Sequence, residues 1–411
     1  MKFGLLGRTL GHSFSPHIHG VLGNTNYELF EREPSQLQEF FDDQELQGIN
    51  ITFPYKVNAL EACDVVDPRA ERIGCVNTMV RKDGKWHGYN TDYDGFVFTL
   101  HHAGIDVSGK ECIILGDGAS SATVHVALED LGAKSITHLS RKTAPFYDDA
   151  PNYYETAQII INCTPIGMYP HNPASLIDIT QFSKLEGVVD LIYNPRRTIL
   201  LLQAEMMDVP HCDGLPFLVA QGVEAANHFQ GESFGTKEIE QILRDMRREK
   251  ENIILIGMPG VGKTTVGKVL GEEMGRTCVD VDQELEKEIG DISTYITEQG
   301  EAAFREKEAE MIAKLGTETG LVISTGGGCV TVPKNYAHLR QNGRIYQLTQ
   351  PVENLSTSGR VLSGGGIDRL RELEATRTPM YESFAQCIVE HNRNAPETVA
   401  AILEDFEANL L

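Results

Sequence analysis

The sequence predicts an α/β protein of roughly two or three domains in its 411 residues. Two glycine-rich turns, at residues 116–120 and 257–264, each follow an apolar strand-like run and precede a helical pattern. Strand, turn and helix in that order are typical of parallel sheets covered by helices. The length agrees with this organisation, because a single hydrophobic core rarely extends over so many residues.

The second turn matches the phosphate-loop pattern G-x-x-x-x-G-K-[ST] at every fixed position. The apolar run at residues 252–256 predicts a buried parallel strand, and a helical pattern begins at Thr265. The glycines let backbone N–H groups surround phosphate oxygens, Lys263 adds a positive charge, and the Thr264 hydroxyl can bind magnesium. An ordinary glycine-rich turn rarely completes both the pattern and its context, so we predict a nucleoside triphosphate site. Its expected residues are Gly257, Gly260, Val261, Gly262, Lys263, Thr264 and Thr265.

The composition excludes several classes of partner. The chain has 36 Lys and Arg against 59 Asp and Glu, and its formal charge of -23 would repel nucleic acid and anionic membranes. Its eight cysteines are scattered without metal-ligand spacing, which predicts free thiols in a reducing compartment. The N-terminus lacks the apolar core of a signal peptide, and no apolar run reaches membrane-spanning length. We therefore expect a cytoplasmic protein.

Polar motifs accompany the strand-like runs of the first part of the chain. Ser13 and Ser15 stand beside Pro16, where their hydroxyls could cap a helix or bind a polyol. The composition favours the helix cap. Thr52 and Lys56 come at the end of a predicted strand, where a lone lysine is usually a surface charge. The motifs are His12-Ser13-Phe14-Ser15-Pro16, Asn50-Ile51-Thr52-Phe53-Pro54-Tyr55-Lys56, Val76-Asn77-Thr78 and Asn90-Thr91-Asp92.

In this order and approximate spacing, the motifs resemble those of shikimate dehydrogenases. The resemblance continues through later strand and helix starts and covers roughly residues 1–235. It implies a two-lobed unit in which a Rossmann cofactor lobe interrupts a discontinuous substrate lobe. The expected domains are residues 1–92 plus 211–248 for the substrate and catalytic lobe, 93–210 for the NADP-binding Rossmann lobe, and 249–411 for the phosphate-loop domain.

The first glycine-rich turn opens a β-α-β unit of the kind that binds dinucleotides. Asp117 places a carboxylate in this loop, and Ala119 replaces a glycine that the family pattern has. After the second strand, Ser140-Arg141-Lys142 stands where an NAD site carries Asp or Glu, and two cations favour the 2′-phosphate of NADP. The expected NADP(H) residues are Gly116, Gly118, Ala119, Ser120, Ser140, Arg141, Lys142, Met168 and Gly214.

The resemblance also implies the roles of the polar motifs. Lys56, hydrogen-bonded to Asp92, would protonate the oxygen of a ketone reduced by NADPH, and would act as base in reverse. In an arbitrary protein such a pair is more often a surface ion pair. The residues expected to hold the carboxylate and hydroxyls of the substrate are Ser13, Ser15, Thr52, Asn77, Asn90, Tyr193 and Gln221.

The second half resembles shikimate kinase along nearly its whole length. Asp280 and Asp282 alternate along a predicted strand, which would point both carboxylates to the same side. The resemblance implies that Thr264 and Asp280 position magnesium, that Asp282 orients the attacking hydroxyl, and that Arg360 closes over the γ-phosphate of ATP from a lid. In that lid, Val361 replaces the usual proline. The residues expected to bind the kinase substrate are Asp282, Arg305, Gly326, Gly327, Gly328 and Arg377, with the arginines clamping a carboxylate.

The two implied reactions are consecutive, because reduction of 3-dehydroshikimate creates the hydroxyl that the kinase phosphorylates. We therefore predict a bifunctional enzyme of aromatic amino-acid biosynthesis that uses NADP(H) and ATP with Mg²⁺. Its expected partners are 3-dehydroshikimate, shikimate and ATP, without nucleic acid or membrane, in a monomer or homodimer. Two alternatives stay open. One is an enzyme pair acting on quinate or another polyol acid, and the other is a non-catalytic binding or regulatory module in one half.

Overall fold

The structure is a computed structural model and describes residues 1–11, 13–170, 172–356, 366–392 and 394–411. Its strands are β1 Lys2–Gly7, β2 Tyr27–Glu31, β3 Leu46–Ile51, β4 Val65–Val66, β5 Thr78–Lys82, β6 Lys85–Tyr89, β7 Glu111–Leu115, β8 Ser135–Leu139, β9 Ile159–Asn162, β10 Gly187–Asp190, β11 His211–Cys212, β12 Asn252–Gly257, β13 Cys278–Asp280, β14 Val322–Ser324, β15 Gly343–Thr349 and β16 Cys387–Glu390. Its α-helices are α1 Ser15–Val21, α2 Leu37–Asp42, α3 Lys56–Ala62, α4 Pro68–Ile73, α5 Asp92–His102, α6 Ala119–Asp130, α7 Ile199–Met206, α8 Leu215–Gln230, α9 Thr236–Lys250, α10 Lys263–Met274, α11 Val281–Ile289, α12 Ile292–Gln299, α13 Glu301–Gly316, α14 Asn335–Arg340, α15 Gly366–Phe384 and α16 Ala395–Ala408.

The chain divides into two compact units, Met1–Leu243 and Arg244–Leu411, and the division falls within α9. The sequence places this junction a few residues later, near residue 248. The second half of α9 belongs to the second unit because its arginines bind the end of the chain. Arg244 and Arg247 each donate from Nη1, to the carbonyls of Glu407 and Leu410, at 3.3 and 3.0 Å.

The first sheet of the N-terminal unit is mixed and has the strand order β2-β1-β3-β5-β6-β4. β1 lies parallel to β2 and β3, whereas β5 pairs antiparallel with both β3 and β6. The apolar side chains of these strands and of α2 form a separate buried core. Because β5 runs antiparallel to β3 and β6, the polar residues that follow β3, precede β5 and follow β6 meet at the same edge of this sheet.

The second sheet of this unit has the order β11-β10-β9-β7-β8, with every neighbouring pair parallel. β7 is its first strand in the chain and lies between β8 and β9, so the strand order reverses beside it. Open α/β sheets bind ligands at such a switch point, beyond the carboxyl ends of the strands. The glycine-rich turn after β7 therefore lies where a dinucleotide site is expected.

The second unit is built on a parallel sheet with the order β13-β14-β12-β15-β16. The central strand β12 is buried along its whole length, as the apolar run in the sequence predicts. The phosphate loop leaves this strand and enters α10, so its backbone is fixed between two regular elements. A single large apolar core surrounds the sheet.

Most predicted elements are confirmed, and two local predictions are wrong. Asp280 ends β13, but Asp282 lies in the first turn of α11 and not on the strand. The strand stops because Asp280 caps the helix, accepting hydrogen bonds from the N–H groups of Asp282 and Gln283 at 3.1 and 3.3 Å. The predicted serine cap of α1 is also wrong. The N-cap of this helix is Phe14, and among the described residues no side chain forms a cap hydrogen bond there.

Three absences hold within the described ranges. No helix there combines the length and apolar character needed to cross a bilayer. No group of three His, Cys, Asp or Glu side chains is arranged to hold a metal ion there. The cysteines are free thiols, half of them buried and half partly buried, as their scattered positions predict.

Two candidate active sites

In the N-terminal unit, Lys56 and Asp92 form a close ion pair. Lys56 Nζ donates to Asp92 Oδ2 at 2.5 Å, and the two side chains are only 14% and 5% exposed. Each residue is the first of a helix, α3 and α5 respectively. The N-terminus of α5 carries a partial positive charge, which stabilises the Asp92 carboxylate.

The environment keeps the Lys56 ammonium charged. Burial acts to lower its pKa, but the charge and hydrogen bond of Asp92 outweigh burial, and the net pKa of Lys56 is raised above its usual value. Cys75 is a further titratable group beside the pair, and burial raises the pKa of its thiol. At neutral pH the pair therefore consists of a protonated amine held against a carboxylate.

Asn77 fixes the other oxygen of this carboxylate. Its Nδ2 donates to Asp92 Oδ1 at 2.9 Å, and its Oδ1 accepts the N–H of Thr91 at 2.8 Å. Asn90 is also buried, and its Nδ2 donates to the carbonyl of Cys75 at 3.1 Å. The structure thus joins Lys56, Asp92 and Asn77 by direct hydrogen bonds, whereas Asn90 binds Cys75.

Aromatic contact brings the serine loop to the cofactor lobe. The ring of Phe14, between Ser13 and Ser15, lies 5.5 Å from the ring of Tyr193, which follows β10. Ser13 Oγ accepts the N–H of Ser15 at 3.2 Å, so this hydroxyl shapes the turn before α1. This contact therefore places the serine loop beside Tyr193.

Two further predicted residues belong to the same unit, on other elements. Thr52 is half-buried in the turn after β3, where its N–H donates to the carbonyl of Leu6 at 2.9 Å. Gln221 lies on α8 beside Gly95 of α5, and its Nε2 donates to the carbonyl of Leu218 at 2.8 Å. In this structure the amide of Gln221 is bound to its own helix.

The turn after β7 has the geometry of a dinucleotide loop despite its altered glycines. Gly116 has φ = +118°, and a Cβ there would lie 3.1 Å from Ser121 Oγ and from Thr164 Cγ2, so only glycine fits. Gly118 has open space in the direction of a Cβ, and Asp117 is exposed. Because the Asp117 carboxylate lies in water, it leaves the backbone of the loop accessible to a pyrophosphate.

The cations predicted for the 2′-phosphate lie at the end of β8. Arg141 and Lys142 are both exposed, so their side chains are available to an anion. Ser140 is buried, and its Oγ accepts the N–H groups of Lys142 and Thr143 at 3.2 and 3.0 Å. This hydroxyl therefore shapes the turn that presents the two cations. Met168 is exposed, and Gly214 is buried with its Cα packed against the carbonyl of Leu191.

In the second unit, most of the predicted kinase residues line one cavity of 290 Å³. Gly257, Val261 and Thr265 belong to the same loop and helix but do not line it, and Arg360 lies outside the described residues. The predicted residues that do line it are Gly260, Gly262, Lys263, Thr264, Asp280, Asp282, Arg305, Gly326, Gly327, Gly328 and Arg377.

The phosphate loop contributes a buried lysine to this cavity. Lys263 is buried, and its Nζ donates to the carbonyls of Gly257 and Met258 at 2.8 and 3.1 Å. Thr264 Oγ1 donates to Asp280 Oδ2 at 2.6 Å. A hydroxyl and a carboxylate in contact beside a phosphate loop are the oxygen ligands that Mg²⁺ takes when substrate phosphates complete its shell.

Two arginines also line the cavity. Arg305 Nη1 donates to Glu308 Oε2 at 2.6 Å, and Arg377 Nη1 donates to the carbonyl of Gly327 at 2.9 Å. Glu308 is 0% exposed, and its Oε1 has no hydrogen-bond partner within the described part of the chain. Sequence reasoning missed Glu308, although its position one helical turn after Arg305 on α13 could have identified it as an ion-pair partner.

The glycines after β14 are required by the side chains around them. A Cβ on Gly326 would lie 2.5 Å from Glu308 Oε1 and 2.8 Å from Asp282 Oδ1. A Cβ on Gly328 would lie 2.0 Å from Arg305 Nη2. These glycines let the acidic and basic groups of the cavity converge on one space.

Comparisons with known proteins give matches in both units. The family model for the shikimate dehydrogenase substrate binding domain matches residues 5–79, and the model for shikimate kinase matches residues 259–407. A shikimate dehydrogenase (NADP(+)) of Clostridium perfringens is 34% identical over 265 residues, which cover 60% of this chain and 98% of that protein.

Solved structures match the N-terminal unit. Shikimate dehydrogenase 1 from Peptoclostridium difficile is 32% identical with a TM-score of 0.55, covering 60% of this chain and 98% of that one. A shikimate 5-dehydrogenase from Thermus thermophilus, in complex with NADP(H) and shikimate, is 29% identical with a TM-score of 0.52, covering 59% and 97%.

The fold and the sites define an enzyme that joins a two-lobed dehydrogenase to a phosphate-loop kinase. The chain belongs to the shikimate dehydrogenase family and carries a shikimate kinase domain at its C-terminal end. It is a bifunctional enzyme of the shikimate pathway.

Proposed function

We propose that the N-terminal unit reduces 3-dehydroshikimate to shikimate with NADPH, and that the C-terminal unit phosphorylates shikimate with MgATP to shikimate 3-phosphate. We also propose three domains, residues 1–92 plus 211–248, 93–210 and 249–411, with the last boundary a few residues after the division of the two units at Leu243. One observation carries the functional proposal. The chain holds a buried lysine–carboxylate pair in one unit and a phosphate loop facing two arginines in the other.

In the first reaction, NADPH supplies the hydride, and the protein must bind the ketone and supply a proton. Lys56 Nζ is a protonated amine that Asp92 and Asn77 hold in one orientation, as a general acid requires. The residues that hold the carboxylate and hydroxyls of the substrate are Ser13, Ser15, Thr52, Asn77, Asn90, Tyr193 and Gln221. Asp92 then stabilises the amine again when solvent returns its proton.

The preference for NADP is proposed to depend on the exposed cations after β8. Arg141→Ala combined with Lys142→Ala is expected to raise the KM for NADPH about 10- to 100-fold, because two charge-assisted contacts are lost. The KM for NADH should change little, since NADH lacks the 2′-phosphate. Steady-state kinetics with each cofactor measures the two KM values. Lys134→Ala is the control, because Lys134 is an exposed cation of the same lobe that pairs with Glu111. Equal changes for NADH and NADPH would contradict the assignment.

In the second reaction, MgATP supplies the phosphoryl group, and catalysis depends on positioning and charge neutralisation. Lys263 and the loop amides hold the phosphates, and Thr264 with Asp280 positions the metal ion. Asp282 orients the attacking hydroxyl and accepts its proton. Arg305 and Arg377 hold the substrate carboxylate with forked guanidinium groups, and Arg360 closes over the γ-phosphate.

Glu308 positions Arg305 in this proposal. Glu308→Gln is expected to raise the KM for shikimate about tenfold with a smaller change in kcat, because a charge-assisted hydrogen bond to Arg305 is weakened. Kinase kinetics with varied shikimate measures the change, and the KM for ATP should stay constant. Glu310→Gln is the matched control, since Glu310 lies on the same helix and pairs with exposed Lys307. An unchanged KM for shikimate would exclude the positioning role.

A two-stage assay on the purified chain tests the proposed function. 3-Dehydroshikimate and NADPH are added first, NADPH consumption is followed, and MgATP is added second, with products identified by mass. We expect NADPH consumption in the first stage and a phosphate added to the product only in the second. If shikimate is phosphorylated but 3-dehydroshikimate is not reduced, the proposed reductase activity is wrong. Replacing 3-dehydroshikimate by dehydroquinate tests the alternative substrate.

A further inference from the structure

A line of buried polar side chains connects Tyr27 to the Lys56–Asp92 pair. The Tyr27 hydroxyl donates to Asn50 Oδ1 at 2.7 Å. Asn50 Nδ2 donates to Thr78 Oγ1 at 3.0 Å, across the pairing of β3 with β5. Thr78 Oγ1 donates to Asn77 Oδ1 at 3.1 Å, and Asn77 donates to Asp92 as described above.

The hydrogen bonds of this line can all point the same way. Each hydroxyl and each amide NH₂ donates to the next residue toward Asp92. The side-chain oxygens of Asn50, Thr78 and Asn77 each accept from the residue before them in the line. The direction is consistent because the line ends at a carboxylate, which only accepts. Hydrogen bonds arranged head to tail polarise one another, most strongly where water is excluded. Tyr27, Asn50, Thr78 and Asn77 are each at most 7% exposed, so this condition holds.

His19 supports the middle of the line. Its ring stacks on that of Tyr27 with centroids 4.1 Å apart, and its Nε2 lies 3.1 Å from Asn50 Oδ1. Burial lowers the pKa of His19 to about 3, so the ring is neutral and Nε2 carries the proton that it donates to Asn50. Asn50 Oδ1 thus accepts from both Tyr27 and His19, which fixes its amide orientation.

We propose that Tyr27, Asn50, Thr78 and Asn77 form a positioning relay that ends on Asp92 and holds the Lys56–Asp92 pair in its reactive geometry. This inference rests on the proposed reduction of 3-dehydroshikimate. Tyr27, Asn50 and Thr78 act through Asn77 and Asp92 and do not touch the reacting atoms.

Thr78→Val tests the relay because it removes one hydroxyl and nearly preserves shape. It leaves Asn50 Nδ2 and Asn77 Oδ1 each without the partner that Thr78 supplies, so kcat for reduction should fall about tenfold. The KM for NADPH should stay within about twofold, because the cofactor lobe is unaffected. The alkaline limb of the pH–rate profile should move to lower pH, because a less firmly held Asp92 raises the pKa of Lys56 less. Thr78→Ser keeps the hydroxyl and should restore kcat and the profile.

Two further variants separate this role from a general loss of packing. Thr99→Val is the matched control, because Thr99 is equally buried and its hydroxyl donates to the carbonyl of Gly95 within α5, at 2.8 Å. Tyr27→Phe breaks the relay far from Asp92 and keeps the stacked ring, so it should also lower kcat and shift the profile. Thermal unfolding confirms that each variant is folded at the assay temperature.

The outcomes distinguish the relay from the reaction on which it rests. If the unmodified chain does not reduce 3-dehydroshikimate, the proposed function fails. If it does, and folded Thr78→Val and Tyr27→Phe keep its kcat and pH profile, the relay is overturned. An equal loss of kcat in Thr99→Val would also overturn the relay, because that result would assign the loss to packing. A loss in both relay variants, with recovery in Thr78→Ser, supports the relay.

Discussion

Replacing Lys56 by Met is expected to abolish reduction of 3-dehydroshikimate while leaving phosphorylation of shikimate intact. The alkoxide that forms on hydride transfer needs a proton, and Lys56 is the ammonium that Asp92 holds in the cleft. Loss of a positioned general acid lowers kcat by about 10² to 10⁴. NADPH oxidation with 3-dehydroshikimate measures the first activity, and coupled ADP release with added shikimate measures the second.

The chain offers a matched control for this substitution. Lys2 lies in the same lobe and also pairs with an aspartate, Asp43, at 3.2 Å, but both side chains are more than a third exposed. Lys2→Met should therefore change neither activity, since an exposed ion pair contributes little. Because Lys56→Met leaves the Asp92 charge buried, thermal unfolding must accompany the kinetics. A folded Lys56→Met chain that reduces the ketone at the normal rate would refute the assignment.

Sequence reasoning predicted the fold well because the chemistry of both sites lies at strand ends. The phosphate loop, the first glycine-rich turn and the motif containing Lys56 each follow an apolar strand, and such junctions leave a clear pattern. The prediction failed at Asp282 because a helix can begin directly at a strand end. Asp280 caps α11, and that hydrogen bonding competes with extension of β13.

The residues that the sequence did not identify act through other side chains. Thr78 belongs to the motif Val76-Asn77-Thr78 and Glu308 follows Arg305 by one helical turn, yet their roles depend on which atoms the fold brings within hydrogen-bonding distance. Thr78 meets Asn50 only because β3 and β5 pair in one register, across a separation of 28 residues. Composition and local spacing contain no information about that register, so such contacts need a structure.

Replacing Lys263 by Ala is expected to abolish phosphorylation of shikimate while sparing the reductase. Lys263 is the buried cation of the phosphate loop and lies in the cavity that contains Arg305 and Arg377. A preorganised charge on a transferring phosphoryl group contributes about 10² to 10³ in kcat. Lys268→Ala is the control, because Lys268 lies on the same helix and is exposed, so both activities should persist.

A mixture of the two defective chains gives the sharpest form of this test. Lys56→Met retains the kinase and Lys263→Ala retains the reductase, so together they should convert 3-dehydroshikimate to the phosphorylated product when NADPH and MgATP are present. Neither chain alone should complete the conversion. Such complementation requires that each site act by itself and release its product, because the intermediate must pass from one molecule to another. If the mixture consumes NADPH but forms no phosphorylated product, although Lys56→Met phosphorylates added shikimate, the product of the first unit is not the substrate of the second, and the assignment of the two reactions is wrong.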